Sequence, residues 1–288
     1  MNSKTLFPNL GFGLGLRQPH IDEILAGAAQ HAKWFEIISE NYLGQVTGGF
    51  SPSFKTLEKI RANYPVVMHG VSMNIGSQDD INFDYLKKLK ELRSAIEAKW
   101  ISDHLCWTGL NNKNIHDLLP LPYTQEAINH CAERLLRIQD YLGEAILIEN
   151  VSSYVHFPEA EMDEADFLKE VCQKSGCFLL CDLNNIFVTS FNHKLDSYKY
   201  LQKIPWDRVV QIHLAGPRDK GDYMIDTHDE PVRPEVWDLL RWVRDHGVQA
   251  SIMIEWDDNI PPLSVVEEEL LKAKNIFIGK KMEARHGL

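Results

Sequence analysis

Six apolar runs in the sequence each break at an imidazole or a carboxylate: VVMHG at His69, ISDHLCW at His104, ILIEN at Glu149, LLCDLNN at Asp182, VVQIHLAG at His213 and IMIEW at Glu255. Such runs read as β-strands buried on both faces, with the polar residue near the C-terminal end. An ionised carboxylate in that setting is unfavourable by several kcal/mol unless paired or coordinated. Three of them at one mouth would repel one another unless cations lay among them. A lone strand-end His is more often a hydrogen-bonded core or surface residue; six strands agreeing in position and type point to divalent cations instead. Mixed nitrogen and oxygen ligands suit iron, manganese, zinc or cobalt, and ligand type alone does not choose. No thiolate is needed, which separates the site from zinc fingers.

The run IDTHDEP adds Asp226 and His228, which in an extended segment would project on one side. Asn185, three residues past Asp182, offers a further ligand through its amide oxygen. Sorted by strand order, His69, His104 and Glu149 serve one ion, and Glu149, Asp182, His213 and Glu255 a second. Asp226 and His228, with Asn185, would complete a third. Glu149 belongs to two sets because a carboxylate can bridge ions ~3.5–4 Å apart. Glu149, Asp182 and His213 are the candidate catalytic residues. Weaker candidates for touching substrate or orienting ligands are Glu36, Glu40, Asn41, Asp103, Trp107, Tyr154 and Asn184.

Positioning these residues requires repeated strand–helix units. Candidate strands are Gly11–Leu16, Trp34–Ser39, Pro65–Val71, Trp100–Leu105, Ala145–Val151, Cys177–Leu183, Arg208–Ala215 and Ser251–Trp256. Eight is the number that closes a parallel (β/α)8 TIM barrel, and about 250 residues fill one, so residues 1–288 are expected to form one domain. Amphipathic segments lie between them at Phe83–Ala98, Thr124–Leu142, Glu164–Ser175 and Pro234–His246, with Gly176 and Gly247 as helix stops. Period-2 geometry turns Leu147 and Ala145 inward with Glu149, Gln211 with His213, and Met253 with Glu255. The longer stretches Glu40–Pro52, Trp107–Tyr123 and Gly216–Pro234 fall on the C-terminal face, where barrel active sites form.

Composition narrows the partners. A net charge of −11 with no basic stripe argues against a nucleic-acid backbone. No apolar run nears the ~20 residues that span a bilayer. The N-terminus lacks the apolar stretch of a secretory signal, so a cytoplasmic location is expected. The five cysteines, Cys106, Cys131, Cys172, Cys177 and Cys181, form no CxxC pair and read as core residues rather than a disulfide framework.

The linked segments GFGLGLR, FEIISENYL, HGVSMNIGS, SDHLCWTG, LLPLPYT, IENVSSYV, CDLNNIFV, QIHLAG, IDTHDEPV and IEWDDNIP resemble the DUF692 (UPF0276) family, the multinuclear non-heme iron-dependent oxidases. The resemblance runs from Gly11 to about Pro262. It implies a xylose isomerase-like, endonuclease IV-like barrel with its metal site at the C-terminal face. It also implies two or three iron ions, with zinc or manganese as substitutes in purified protein, and dioxygen as cosubstrate. The implied reaction modifies cysteine, or another residue, in a ribosomal precursor peptide, its thiolate binding one iron while dioxygen is reduced at the neighbour. A peptide-presenting partner protein is compatible with it. Two departures stand out: Pro217 follows HLAG and Glu230 follows DTHD, where the family often has His. Competing readings are a metal-dependent phosphodiesterase, which the net charge disfavours, and a sugar isomerase, which usually needs a lysine near the metals.

Overall fold

The computed structural model describes residues 6–44, 50–110 and 113–279. Eight parallel strands close the expected TIM barrel: β1 (Phe12–Gly15), β2 (Phe35–Ile38), β3 (Val66–Gly70), β4 (Ile101–His104), β7 (Leu147–Glu149), β8 (Phe178–Asp182), β9 (Val209–Leu214) and β12 (Ser251–Ile254). Each lies inside its expected run, trimmed at the ends. The helices between them are α1 (Ile21–Leu25), α2 (Phe54–Arg61), α3 (Phe83–Ala95), α4 (Gln125–Leu142), α5 (Glu164–Ser175), α6 (Leu183–His193), α7 (Ser197–Lys203), α8 (Pro234–Asp245) and α9 (Leu263–Ile278). Local chemistry sets their ends. Thr124 and Asp163 accept hydrogen bonds from the first turns of α4 and α5, and Gly143 and Gly176 close the same helices in the left-handed conformation.

Two apolar layers result, one between strands and helices and one inside the barrel. The inner layer holds Trp34, Val67, Trp100, Leu147, Phe178, Leu180, Val210 and Met253. Leu147 and Met253 therefore share the interior with Glu149 and Glu255, as period-2 geometry requires. Val210 also turns inward one residue below Gln211, because the β8–β9 register shifts at Leu179/Leu180 and breaks the alternation there. A Cβ at Gly13 would collide with the Trp34 ring, so the glycine makes room for that indole. Phe7 caps the layer from below, edge-on to Trp100 and Phe178. With the lower half filled by large apolar side chains, polar residues have space only above it.

Two of the long stretches carry strands of their own. Trp107–Tyr123 contains the hairpin of β5 (Trp107–Leu110) and β6 (Lys113–Leu119), and Gly216–Pro234 contains β10 (Arg218–Asp219) paired with β11 (Met224–Ile225). Asn74, with φ of 52°, ties the first hairpin down by donating to the Gly109 carbonyl and accepting from the Thr108 amide. All five cysteines are buried and none forms a disulfide. Among the described residues no helix is long and apolar enough to cross a membrane.

Candidate metal centre

The six strand-end residues meet above the inner apolar layer, and all six lie within one residue of a strand's last position. His69 and His104 place their Nε2 atoms 3.1 Å and 3.2 Å from Glu149 Oε2. Tautomer is set from behind. His69 Nδ1 lies 2.9 Å from Ser102 Oγ, whose own proton goes to the Met68 carbonyl, so the imidazole must donate there. His104 Nδ1 donates to the Gly70 carbonyl. Both rings are thus left with an Nε2 lone pair aimed at the same carboxylate oxygen.

His213 is held the other way round. Its Nε2 lies 3.1 Å from Glu36 Oε1, leaving Nδ1 facing Glu255 Oε2 at 2.8 Å, Glu149 Oε1 at 3.5 Å and Asp182 Oδ2 at 3.8 Å. Glu36 is itself fixed by the Gln211 amide, which donates to its Oε2 at 2.6 Å. Gln211 has no freedom to flip, because its oxygen accepts from the Trp100 indole. Asp182 ends β8 and caps α6 in one step: its Oδ1 accepts from the Asn185 amide, so Oδ2 is turned to the cluster. No loop intervenes between that strand and helix.

His69, His104 and Glu149 therefore form one group that can hold a cation, and Glu149, Asp182, His213 and Glu255 form another. A third consists of His228, Glu255 and Asp257, and here the geometry differs from the expected Asp226, His228 and Asn185. His228 is not in an extended segment; its φ is 48°. That turn sets Nδ1 at 3.2 Å from both Asp257 Oδ2 and Glu255 Oε2, and Nε2 at 2.7 Å from Asp226 Oδ1. The two faces of one ring thus serve both the expected and the observed partners. Asn185 contributes a buried Oδ1 with no hydrogen-bond partner, while its Nδ2 donates to the Asn150 carbonyl.

The fit to cations rests on the atoms left over. Glu149 Oε2, Asp182 Oδ2, His213 Nδ1 and His228 Nε2 are all buried and lack aligned hydrogen-bond partners, although opposite charges lie as near as 2.7 Å. Groups gathered this closely but off the hydrogen-bonding direction are what a ring of ligands looks like without its ion. Protonation fills the same need. Burial opposes charge on His69, but Glu36 and Glu149 outweigh it and raise the ring to about 9. His213 and His228 are likewise held well above the ordinary imidazole value, burial being outweighed by Glu255 and Glu36 for one and by Asp226 for the other. Burial, reinforced by Glu149 and Asp226, pushes the Asp182 carboxyl well up. Glu149 and Glu255 go the opposite way, below the usual carboxylate range, because facing histidines overcome burial.

Three residues here were not singled out from sequence. Asp257 is one; Ser102 is another. Arg17, two residues past β1, is buried against Asp257 at 2.5 Å and Glu255 at 3.5 Å and donates to the Trp256 carbonyl, fixing the carboxylates that follow β12 from the neighbouring strand. Of the weaker candidates, Glu36 orients His213. Asn184 donates to Asp226 Oδ1, and the Tyr154 hydroxyl accepts from the Asp226 amide. Trp107 is half-buried against the outer core and Asn41 is exposed. Asp103 and Glu40 lie outside the three groups able to hold a cation. Asp103 faces outward from β4, because His104 and Ser102 take the inward parity, and accepts from the Ser72 and Met73 amides. Glu40 accepts from the Tyr85 hydroxyl and the Val71 amide. Together they hold the segment after β3. The two family departures are neighbours too, since Gly216, preceding Pro217, lies directly against the Glu230 and Pro231 carbonyls.

A family model for "RiPP precursor modification enzyme MbnB/TglH/ChrH" matches residues 11–277. The chain belongs to this family. Its relatives include a UPF0276 protein of Caulobacter vibrioides, 46% identical over 92% of this chain and 94% of the relative. Another, from Anaeromyxobacter sp., is 47% identical over 93% of each chain. The barrel is similar to a xylose isomerase domain protein of Salmonella typhimurium, with TM-score 0.63 and 11% identity over 94% of this chain and 98% of that one. It is also similar to endonuclease IV of Thermus thermophilus, with TM-score 0.57 and 15% identity over 93% and 97%. At such identities these two establish the fold alone. Family membership makes the protein an enzyme that modifies ribosomally made peptides, equipped with residue groups able to bind metal.

Proposed function

We propose that this enzyme is a multinuclear iron oxidase that uses dioxygen to modify a cysteine of its precursor peptide. The observation that carries the reading is the set of Nε2, Nε2 and Nδ1 lone pairs of His69, His104 and His213, each fixed by a hydrogen bond behind it and converging on Glu149. Two cations side by side, sharing one carboxylate, are what this arrangement accommodates. Iron in such ligands would supply a Lewis acid for the substrate thiolate and electrons for dioxygen.

The chain's own part is positional and electrostatic. Glu149 and Glu255 each face two groups and keep them at fixed separation. Glu36 holds the Nε2 proton of His213 and so keeps Nδ1 free. The packed floor of Trp100, Leu147 and Met253 excludes water from below. Exposure rises only on one side, through His104 at 10%, Asp226 at 14% and Asp257 at 39% of their side chains, and the peptide enters there.

The test is to express the protein with iron supplementation, count its metals, and measure dioxygen consumption with and without a cognate Cys-containing peptide. Peptide-dependent uptake with a mass change at cysteine supports the reading. Tightly held zinc together with phosphodiesterase activity would sink it.

A further inference from the structure

Beside the barrel mouth, the segment after β7 separates the cluster from a second cavity. Ser152 Oγ donates to Asp226 on one side of that segment. The next residue, Ser153, lines a cavity of 530 Å³ on the other, closed by Tyr123, Phe157, Met162, Leu195 and Tyr200. Glu164 lies in its wall at the first turn of α5, 7% exposed. The groups acting on its carboxyl are two phenols, Tyr200 and Tyr123, and another acid, Asp163; no cation is among them. Lys203, the cation at this end of α5, is taken by Asp163 and Asp166.

Both phenol hydroxyls are hydrogen-bonding neighbours of the carboxyl, and Tyr200, 8% exposed, lines the cavity beside it. Burial holds the Glu164 carboxyl up at about 8 against the opposing hydrogen bonds of Tyr200 and Tyr123, with no neighbouring cation to bring it down. Glu161 and Asp163 add acidity to the lining, which has no lysine or arginine. An apolar cavity whose wall holds a buried acid flanked by two phenols, with no cation to balance it, matches a cation on an apolar stem.

We propose that this cavity takes a lysine or arginine side chain of the peptide substrate, its cationic head meeting Glu164 and its methylenes lying against Phe157, Met162 and Leu195. The assignment rests on the reading of the substrate as a peptide. Tyr154, exposed on the intervening ridge with its hydroxyl on the Asp226 amide, gives such a peptide a path from cavity to cluster.

The test uses the full chain and N-acetyl-lysine-N-methylamide, followed by saturation-transfer NMR titration, with the norleucine analogue and free n-butylamine as controls. The expected result is saturable binding of the lysine probe, with the norleucine analogue weaker by about tenfold or more. Glu164→Gln should erase that difference. Equal binding of both probes, an unchanged preference in Glu164→Gln, or binding of n-butylamine alone overturns the proposal. Should Glu164→Gln fail to fold, Leu195→Trp fills the cavity from its exposed edge and must abolish lysine binding; retained binding is a refutation. No iron, dioxygen or turnover enters these measurements, so this subsite and the oxidase reading can fail separately.

Discussion

Glu149 offers the sharpest perturbation, because among the described residues it alone touches all three of the inner imidazoles. Its Oε2 lies 3.1 Å and 3.2 Å from the Nε2 atoms of His69 and His104, and its Oε1 lies 3.5 Å from His213 Nδ1. Removing one member of a buried charged set costs about 3–5 kcal/mol, since the remaining charge stays uncompensated. At about 1.4 kcal/mol per decade, each of the two ions sharing this carboxylate should bind ~10²–10⁴-fold more weakly in Glu149→Ala. His104 serves only the first group, so His104→Ala should release about one ion where Glu149→Ala releases about two. The assay is elemental analysis after anaerobic iron reconstitution and desalting, with circular dichroism to establish that both variants are folded. Equal losses in the two variants, or loss of a single ion from Glu149→Ala, would show that the carboxylate is not shared.

Glu36→Gln keeps the shape of the side chain but loses the charge behind His213; affinity at the second group should fall about 10–100-fold, and by more than at the first group, whose His69 feels Glu36 only through space, as read by competition with a chromogenic chelator. Loading should also release protons. Burial and facing charges raise the proton affinities of His69, His213, His228 and Asp182, and a cation displaces such protons, so apparent affinity should rise with pH through the His69 range at about 9. Potentiometry during anaerobic titration measures this, and loading without proton release contradicts it. Stripping the ions with a chelator should lower the melting temperature by on the order of 10 °C, because ions at ~1,000 times their dissociation constant stabilise by about 4 kcal/mol. An unchanged melting curve would mean that the cluster is indifferent to cations.

The barrel was legible because its strands are unbroken apolar runs that end in one chemically unusual residue. The alternation around Glu149 gave the orientation of Leu147 and Ile148 for the same reason. What escaped has a physical cause in each case. The hairpin of β5 and β6 packs mainly through its backbone onto Asn74 and Ser77, so it leaves no apolar alternation to read. Asp103 sits beside His104 and looks equally placed in sequence, but one step along a strand reverses the face. Asp257 follows Trp256 outside any strand, where period-2 logic has no purchase, and only the left-handed turn at His228 brings the two together. Arg17 is 238 residues from Glu255, a pairing that exists only because β1 and β12 close the barrel.

That closure also explains why an apolar layer matters to a polar site. Trp100 belongs to the inner floor, yet its indole N–H spends itself on Gln211 Oε1. The amide can then present only hydrogen atoms to the other side, its nitrogen 2.6 Å from Glu36 Oε2 and 2.7 Å from His213 Nε2, while Glu36 turns its second oxygen to the same imidazole nitrogen. A neutral His213 sharing its Nε2 proton with Glu36 has its lone pair on Nδ1, among Glu149, Asp182 and Glu255. The orientation of the central imidazole is therefore decided two residues below it, by a tryptophan that a packing argument alone would have called filler. A phenylalanine at position 100 would preserve most of the apolar area while freeing Gln211 to flip. The floor and the ligand shell are accordingly one cooperative unit, in which loss of a single indole N–H propagates to the metal-facing nitrogen.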